Sequence, residues 1–475
     1  MPVDEQLCEW PAQRMAQAVR RREVSAVELV SAHLDRIEQV NPAVNAVVSL
    51  VPEQALAQAR EADARVARGD ALGALHGLPV AIKDLMDTAG LRTTYGSPIY
   101  ADHVPRHDAL IAQRMRQAGA IVVGKTNTPE FGAGSHTFNP VFGPTRNPYA
   151  LDRSAGGSSG GAAAALAARL LPLADGSDLG GSIRNPASFC NVVGLRPSAG
   201  RVGSTRPGDA WDPASVLGPM ARSCADVALL LSVIAGPDDR APLSLPEDGA
   251  ALAVIAPYSF RGARVALSRT VDGLPFEPAV ALVMDQVAAR LSGLGAEVVE
   301  VEPDLSGADE AFQTLRSLEF VASYATEVRE HPALVKQSVR DDVAWGMALT
   351  AEQIAQAQAL RTEVFRRTQA LVARFDLLIA PTSQLPPFPV EWEYPAQVAG
   401  VPMDRYYTWQ RSCTRLTTTC LPVLALPAGF TDEGLPVGVQ FVGRHRGEQR
   451  LLAQGAAWEE AVSEIMARRP NVVPA

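Results

Sequence analysis

Leu78-Pro79-Val80-Ala81-Ile82-Lys83-Asp84 is a short apolar run that stops abruptly at a lysine and an aspartate. Leu78–Ile82 therefore reads as a strand buried on both faces. The pattern recurs at Ala120–Gly124, a second apolar run that also ends at a lysine, Lys125. Between the two, Asp108–Ala118 has the spacing of an amphipathic helix. Further on, Ala162–Leu170 reads as a small-residue helix and Leu171–Ala174 as a strand. Ser223–Ala235 reads as a helix opened by the capping box Ser223-x-x-Asp226. This alternation predicts an α/β fold, a large mixed β-sheet flanked by helices on both faces.

Towards the N-terminus, Ser25-Ala26-Val27-Glu28 is a capping box, and Val27, Val30, Leu34 and Ile37 fall on one helical face. Asn41-Pro42 is expected to stop that helix. Val44–Val51 suits a short strand, and Pro52–Arg68 a helix closed by Gly69. In the second half, Arg264–Ser268 and Glu297–Val301 read as strands around a helix at Pro278–Leu294. Thr350-x-x-Gln353 opens a long helix to about Phe375. Leu377–Ala380, Val423–Leu426 and Val437–Val442 read as strands, and Glu448–Ala467 as a final helix. Pro381–Val401, rich in Pro and aromatic residues, reads as a long loop of the kind that often carries function. No repeat or linker divides the chain, which predicts a single domain over residues 1–475.

Composition narrows the function. The 475 residues are 47% hydrophobic and 20% charged, enough to bury a sizeable core and too apolar for disorder. A net charge of −9 and a pI near 5.4 argue against nucleic-acid and anionic-membrane partners. No run reaches the ~20 apolar residues of a membrane span. The start, Met1-Pro2-Val3-Asp4-Glu5, is acidic and unlike a secretory signal. The five cysteines are scattered and contain no C-x-x-C, which favours a reducing, cytoplasmic compartment over a disulfide scaffold or zinc site. His103 and His107 have ligand-like spacing without nearby partners and read as loop histidines; the chemistry read below implies neither metal nor organic cofactor. The chain has three lysines among 43 basic residues: Lys83, Lys125 and Lys336. Arginine thus supplies the ordinary surface charge, and a lysine kept beside an apolar run invites a chemical question, because lysine can release its proton and arginine cannot.

The chemistry centres on Ala155-Gly156-Gly157-Ser158-Ser159-Gly160-Gly161 and Asp178-Leu179-Gly180-Gly181-Ser182-Ile183-Arg184. A phosphate loop is one reading, but Gly161 is followed by Ala162 rather than by Lys-Ser/Thr, and G-x-G-x-x-G is absent here. A nucleophile elbow is another, since Gly157–Gly161 satisfies G-x-S-x-G with Ser159 as nucleophile. That motif requires a strand just before it, whereas Pro144–Ser154 is polar and turn-rich, and only His331 and His445 lie downstream.

A third reading is a resemblance. Lys83 at the end of Leu78–Ile82, Ser158 in Gly-Gly-Ser-Ser-Gly-Gly and Ser182 in Gly-Gly-Ser-Ile-Arg stand 75 and 24 residues apart. Together with Gly124-Lys125-Thr126-Asn127, Pro427-Ala428-Gly429 and Gly434-Leu435-Pro436-Val437-Gly438, they resemble the amidase signature family. The likeness covers a core of about residues 77–201, with a second block near the C-terminus and a variable specificity region of about 240–420. It implies hydrolysis of a linear carboxamide to a carboxylic acid and ammonia or an amine. Ser182 would form an acyl-enzyme, Ser158 would relay the proton across a cis Gly157–Ser158 bond, and Lys83 would be the base. By the same resemblance Leu179, Gly180 and Gly181 supply the oxyanion donors, and Gly132 lines the acyl pocket with Asn127 and Phe131, for which a structural turn is the alternative reading. Asp178, Arg184 and Ser159 would support that loop, and Lys125 would be structural.

The residue types suit such chemistry, which needs a nucleophile, a base that later acts as an acid, and donors for an oxyanion. Leu85 departs from the family pattern, where Asn is usual after Lys-Asp in the glutaminase (A) component of tRNA-dependent amidotransferases. That component stays as an alternative, as does a non-catalytic nucleotide- or ligand-binding protein. The substrate expected is a small amide, with Phe388, Trp392, Tyr394, Tyr406 and Tyr407 suited to an aryl or hydrophobic group. Oligomeric state is open, a homodimer included.

Overall fold

The computed structural model describes residues 3–205 and 208–472; Met1-Pro2, read above for the character of the N-terminus, lies outside them. Among the described residues fifteen strands form in chain order. The first eight are β1 (Val47–Val48), β2 (Pro79–Lys83), β3 (Ile121–Thr126), β4 (Arg146–Asn147), β5 (Ala150–Ser154), β6 (Leu173–Asp178), β7 (Val193–Arg196) and β8 (Val216–Ala221). The others are β9 (Arg264–Leu267), β10 (Glu297–Glu300), β11 (Leu377–Pro381), β12 (Gln397–Val398), β13 (Val401–Pro402), β14 (Val423–Phe430) and β15 (Pro436–Val442). Eleven of them make one mixed sheet in the order β1-β3-β2-β6-β8-β7-β14-β15-β11-β9-β10.

The sheet is parallel towards its two ends, at β3-β2-β6 and β11-β9-β10, and antiparallel through β6-β8-β7-β14-β15. Strands β2, β3, β6, β8, β11 and β15 are buried at every position, as helices on both faces require. The expected α/β architecture is therefore the observed one. Among the described residues no helix is long and apolar enough to cross a membrane.

Local signals account for many boundaries. Ser25 and Glu28 form the reciprocal capping box, as do Thr350 and Gln353. Gly69 closes the helix Pro52–Arg68 in the left-handed conformation. Ser223 caps Cys224–Ile234, but the Asp226 carboxylate does not return the bond: it accepts the N–H groups of Ala12 and Gln13 from the N-terminal helix pair.

Other expectations need correction. The first long helix passes through Pro42 and ends at Val44. The Asn45 N–H reaches the Asn41 carbonyl, and the Asn41 carboxamide accepts from Ala46 and Val47, so this turn closes despite the missing proline N–H. The last helix breaks at Val462 into Glu448–Ala461 and Ser463–Ala467. Pro144–Ser154 does contain strands, but β4 and β5 form a hairpin outside the main sheet. The helices Ala308–Glu330 and Gln337–Met347 were not expected, and the first of them supplies one wall of the site.

Candidate active site

Strands β2 and β6 run parallel as neighbours, so their carboxyl ends lie side by side. Loops at such ends are the usual ligand-binding edge of α/β sheets. Lys83 is the last residue of β2; Asp178 ends β6 and begins the Leu179–Ser182 turn. The loop Ala155–Ser159 arrives from β5 and feeds the helix Gly160–Ala167, with a cis peptide bond at Gly157–Ser158. Three segments far apart in sequence thus meet at one point.

Lys83 is fully buried. Its Nζ contacts Ser158 Oγ at 2.8 Å, Ser159 Oγ at 2.8 Å and Ser177 Oγ at 2.9 Å. The backbone N–H of Lys83 donates to Asp175 Oδ1 at 2.9 Å. Burial raises the Asp175 carboxyl pKa; that backbone hydrogen bond and the nearby Lys125 and Lys83 charges oppose the rise. Asp175 and Ser177 were missed from the sequence, although their period-two spacing on β6 puts both side chains on the face towards Lys83. Ser182 is half-buried and shares a cavity of ≈ 50 Å³ with Ser158, Gly132, Leu179 and Gly180. Among the described residues its hydroxyl has no hydrogen-bond partner. A buried amine touching a hydroxyl, beside a second hydroxyl open to a cavity, is able to pass a proton between solvent-facing and buried oxygens.

The turn before Ser182 is held from below. Asp178 accepts the Gly181 N–H at 2.9 Å through Oδ1 and the Ile183 N–H at 3.2 Å through Oδ2. The Arg184 guanidinium meets the same carboxylate twice, at 3.0 and 2.9 Å. Its remaining donors go to the Cys413 carbonyl, Gln440 Oε1 and Thr417 Oγ1. Arg196, from β7, is a second cation at 3.3 Å from Asp178 Oδ1 that the sequence did not reveal. Burial alone pushes the Asp178 carboxyl up, but Arg184 and Arg196 outweigh it and hold the group well below the usual range. A buried ion pair is tolerated only when saturated with hydrogen bonds in this way.

Among the expected oxyanion donors, the Leu179 N–H has no partner among the described residues. The Gly181 N–H is engaged by Asp178, whereas the Gly180 and Ser182 N–H groups have no partner among the described residues. Gly181 has φ +113°, and a Cβ there would lie 2.5 Å from the Cys413 Cβ, so only glycine fits.

The remaining candidates separate. Phe131 and Gly132 line the cavity. Asn127 does not: its carboxamide braces the Asn139–Thr145 loop through Gly143, Thr145 and Asn139. Ser159 is buried on Lys83 and away from the cavity lining, unlike an elbow nucleophile. Lys125 donates to the Met86 carbonyl and Thr88 Oγ1; burial brings its pKa down to about 8, with Asp84 and Asp175 opposing. Of the loop aromatics, Tyr406 and Tyr407 reach the cavity, Phe388 packs on Phe189 and Trp409, and Trp392 is exposed. Phe312, Arg316, Phe320 and Tyr324, all on the helix Ala308–Glu330, complete the wall. Arg316 is buried over the Phe320 ring and pairs with Asp342 at 2.5 Å, which balances its charge.

Comparison with known proteins gives a consistent answer. The family model described as Amidase matches residues 28–452. An acylamidase of Rhodococcus erythropolis is 34% identical over 468 residues, 96% of each chain. The A chain of the glutamyl-tRNA(Gln) amidotransferase of Moorella thermoacetica is 36% identical over 492 residues, 97% of this chain and 98% of the relative. Among solved structures, a bacterial aryl acylamidase described as an amidase signature enzyme superposes with a TM-score of 0.89 at 31% identity, over 97% of this chain and 99% of that one. A 6-aminohexanoate cyclic dimer hydrolase complexed with substrate gives 0.87 at 28% identity, over 98% and 99%.

Proposed function

The chain belongs to the amidase signature family and is an amidase, and from that premise we propose how its residues divide the hydrolysis of a linear carboxamide. Ser182 Oγ attacks the amide carbonyl while its proton passes to Ser158, whose own proton moves to Lys83 Nζ. The carbonyl oxygen becomes an oxyanion facing the Gly180 and Ser182 N–H groups. Collapse of the tetrahedral adduct breaks the C–N bond, and Lys83 returns a proton through Ser158 to the departing nitrogen. Water then repeats the sequence on the acyl-enzyme, releasing the carboxylic acid and restoring Ser182. Proton transfer by a positioned group contributes typically ~10²–10⁴-fold, and one oxyanion donor ~10²–10³-fold.

One observation carries this reading: the buried Lys83 amine sits 2.8 Å from Ser158 Oγ, and Ser158 shares its cavity with the half-buried Ser182. The rings of Phe131, Phe312, Phe320, Tyr324, Tyr406 and Tyr407 around that cavity support an aryl or hydrophobic substrate. The five free cysteines support a reducing, cytoplasmic setting, and the net charge of −9 opposes nucleic-acid binding.

The test is release of amine or ammonia from anilides and primary amides by wild type and Ser182→Ala. Activity in wild type and its loss in a folded Ser182→Ala support the assignment; retained activity contradicts it. The similarity to the A chain of an amidotransferase, over nearly all of this sequence, favours a glutaminase as the second reading. Glutamine hydrolysis that requires partner chains, without action on anilides, would select it.

A further inference from the structure

A second and larger cavity, ≈ 560 Å³, adjoins the small one that contains Ser182. Leu85, Phe131 and Tyr324 line both, so they form the partition between them. The volume falls within the range of sites that enclose a drug-sized ligand, ~300–1,000 Å³. The small cavity has two distinguishable sides at the reacting centre, and the larger one meets it on the side of Leu85, Phe131 and Tyr324. On the oxyanion side, a Cβ built on Gly180 would meet Phe312 Cζ at 2.9 Å, and one on Gly181 would point at Cys413 and Gln410. On the Ser158 side, a Cβ built on Gly132 would lie 3.6 Å from Ser158 Oγ and 2.8 Å from Leu85 Cδ1. Gly132 thus lies between Ser158 Oγ and the Leu85 part of the partition.

We propose that the larger cavity receives the departing amine of the amide, and that this amine is a bulky apolar or aromatic one without a carboxylate. The inference rests on the reading of Ser158 as the group that protonates the leaving nitrogen. A nitrogen within hydrogen-bond reach of Ser158 has its substituent directed at Leu85 and Phe131, and past them into the larger space. The small compartment beside Gly180, with Phe312, Gln410 and Tyr407, is left for a short acyl group.

The lining fits the class of amine. Tyr95, Tyr100, Phe131 and Tyr324 make a continuous aromatic wall, with ring centroids 5.0, 6.3 and 4.7 Å apart along the series. Met86, Leu110 and Leu217 add apolar surface. The ionisable groups among the described lining residues are His103, His107 and the carboxylates Asp87, Asp108 and Glu327; the carboxylates accept from Tyr95 Oη, the Ala89 N–H and Tyr100 Oη, and Asp108 also pairs with Arg116 at 3.6 Å. A carboxylate on the amine would stand beside Asp87 and Glu327, acceptors of its own sign, where like charges repel.

Ala109, half-buried at the wall of the larger cavity and apart from Lys83, Ser158 and Ser182, gives the test: Ala109→Trp fills space there. Three substrates are compared. One is para-butylacetanilide, bulky on the amine side. The second is its analogue with a carboxylate at the end of the butyl chain. The third is phenylbutyramide, bulky on the acyl side and releasing ammonia. Wild type is expected to cleave the carboxylate analogue about tenfold more slowly than para-butylacetanilide. Ala109→Trp is expected to lower kcat/KM on para-butylacetanilide about tenfold and leave phenylbutyramide unchanged, a contrast on the scale of one or two methylenes in a pocket.

A loss on phenylbutyramide instead, a loss on neither, or equal rates with the carboxylate analogue overturns the assignment. Calorimetric binding of free para-butylaniline separates it from the catalytic reading. Wild type and Ser182→Ala are expected to bind it, and Ala109→Trp is not. Binding with that pattern in a protein that cleaves no amide would sink the catalytic reading and uphold the amine site; absence of binding overturns the amine site even if amides are cleaved.

Discussion

Gly181→Ala is the most informative single change. Two costs follow from the structure. The residue has φ +113°, a conformation that costs an L side chain ~1–3 kcal/mol. The new Cβ would also stand 2.5 Å from the Cys413 Cβ and 2.9 Å from its Sγ. Carbon atoms rest at about 3.5–4.0 Å, so the turn or the helix Arg411–Thr418 must give way by roughly 1 Å. Gly181 lies between Gly180 and Ser182, so such a shift moves the free N–H groups and the attacking oxygen together. Misplacement on this scale costs about 10²-fold in rate, which is ~2.7 kcal/mol of transition-state stabilisation.

The assay is kcat/KM on an anilide, with circular dichroism and thermal unfolding to confirm the fold. The double variant Gly181→Ala/Cys413→Gly removes both close atoms and leaves only the backbone cost. It is expected to recover about tenfold over Gly181→Ala, a coupling of ~1.4 kcal/mol in the double-mutant cycle. Cys413→Gly alone supplies the fourth corner. A Gly181→Ala enzyme within about threefold of wild type, or a double variant with no recovery, would refute the steric argument.

Other consequences are smaller in scope. Asp178→Asn leaves Arg184 and Arg196 buried without their shared counter-charge, and is expected to destabilise the fold by about 3–5 kcal/mol, read from the denaturant midpoint; a change under about 1 kcal/mol would contradict the ion-pair account. Lys83→Arg keeps a cation but cannot release a proton, so kcat/KM is expected to fall about 10²–10⁴-fold, as far as in Lys83→Ala; substantial activity in the arginine variant would show that the amine acts only as a charge. His33 is fully buried, its ring nitrogens have no partner among the described residues, and burial, with Arg222 and Arg36, brings its pKa down to about 3. Below its ordinary value near 6.5 the unfolded chain takes up a proton that the folded one refuses, so this stability is present above that pH and lost as pH falls towards 3. His33→Leu should flatten the pH dependence of unfolding between about pH 6 and 4 by up to about 1.4 kcal/mol per pH unit; an unchanged slope would count against it.

What could be read from the sequence was local. Capping boxes at Ser25 and Thr350 and apolar runs ending at Lys83 and Lys125 depend on neighbours within a few residues, and the structure follows them to within a residue or two. The convergence of Lys83, Ser158 and Ser182 spans 99 residues and came from motif resemblance, because nothing in periodicity brings such positions together. Strand β8 was missed because Gly218 and Pro219 are poor strand formers whose register is set by pairing with β6 and β7. The helix Ala308–Glu330 was missed because its buried positions include Arg316, Ser317 and Glu319, which read as solvent-facing. Two of them, Arg316 and Glu319, mark where the chain lines a cavity rather than a core. Arg196 has no local signal at all; its role follows from the neighbouring loop after β6.

The central claim is that Ser182 is the activated nucleophile and depends on Lys83. Labelling with a fluorophosphonate serine probe, followed by peptide mass spectrometry, tests it in wild type and Lys83→Ala. The account requires one adduct, on Ser182, formed at least a hundredfold more slowly without Lys83, on the scale of general-base catalysis (~10²–10⁴-fold). An adduct on Ser158 or Ser159, or labelling of Ser182 at the same rate in both proteins, would contradict it.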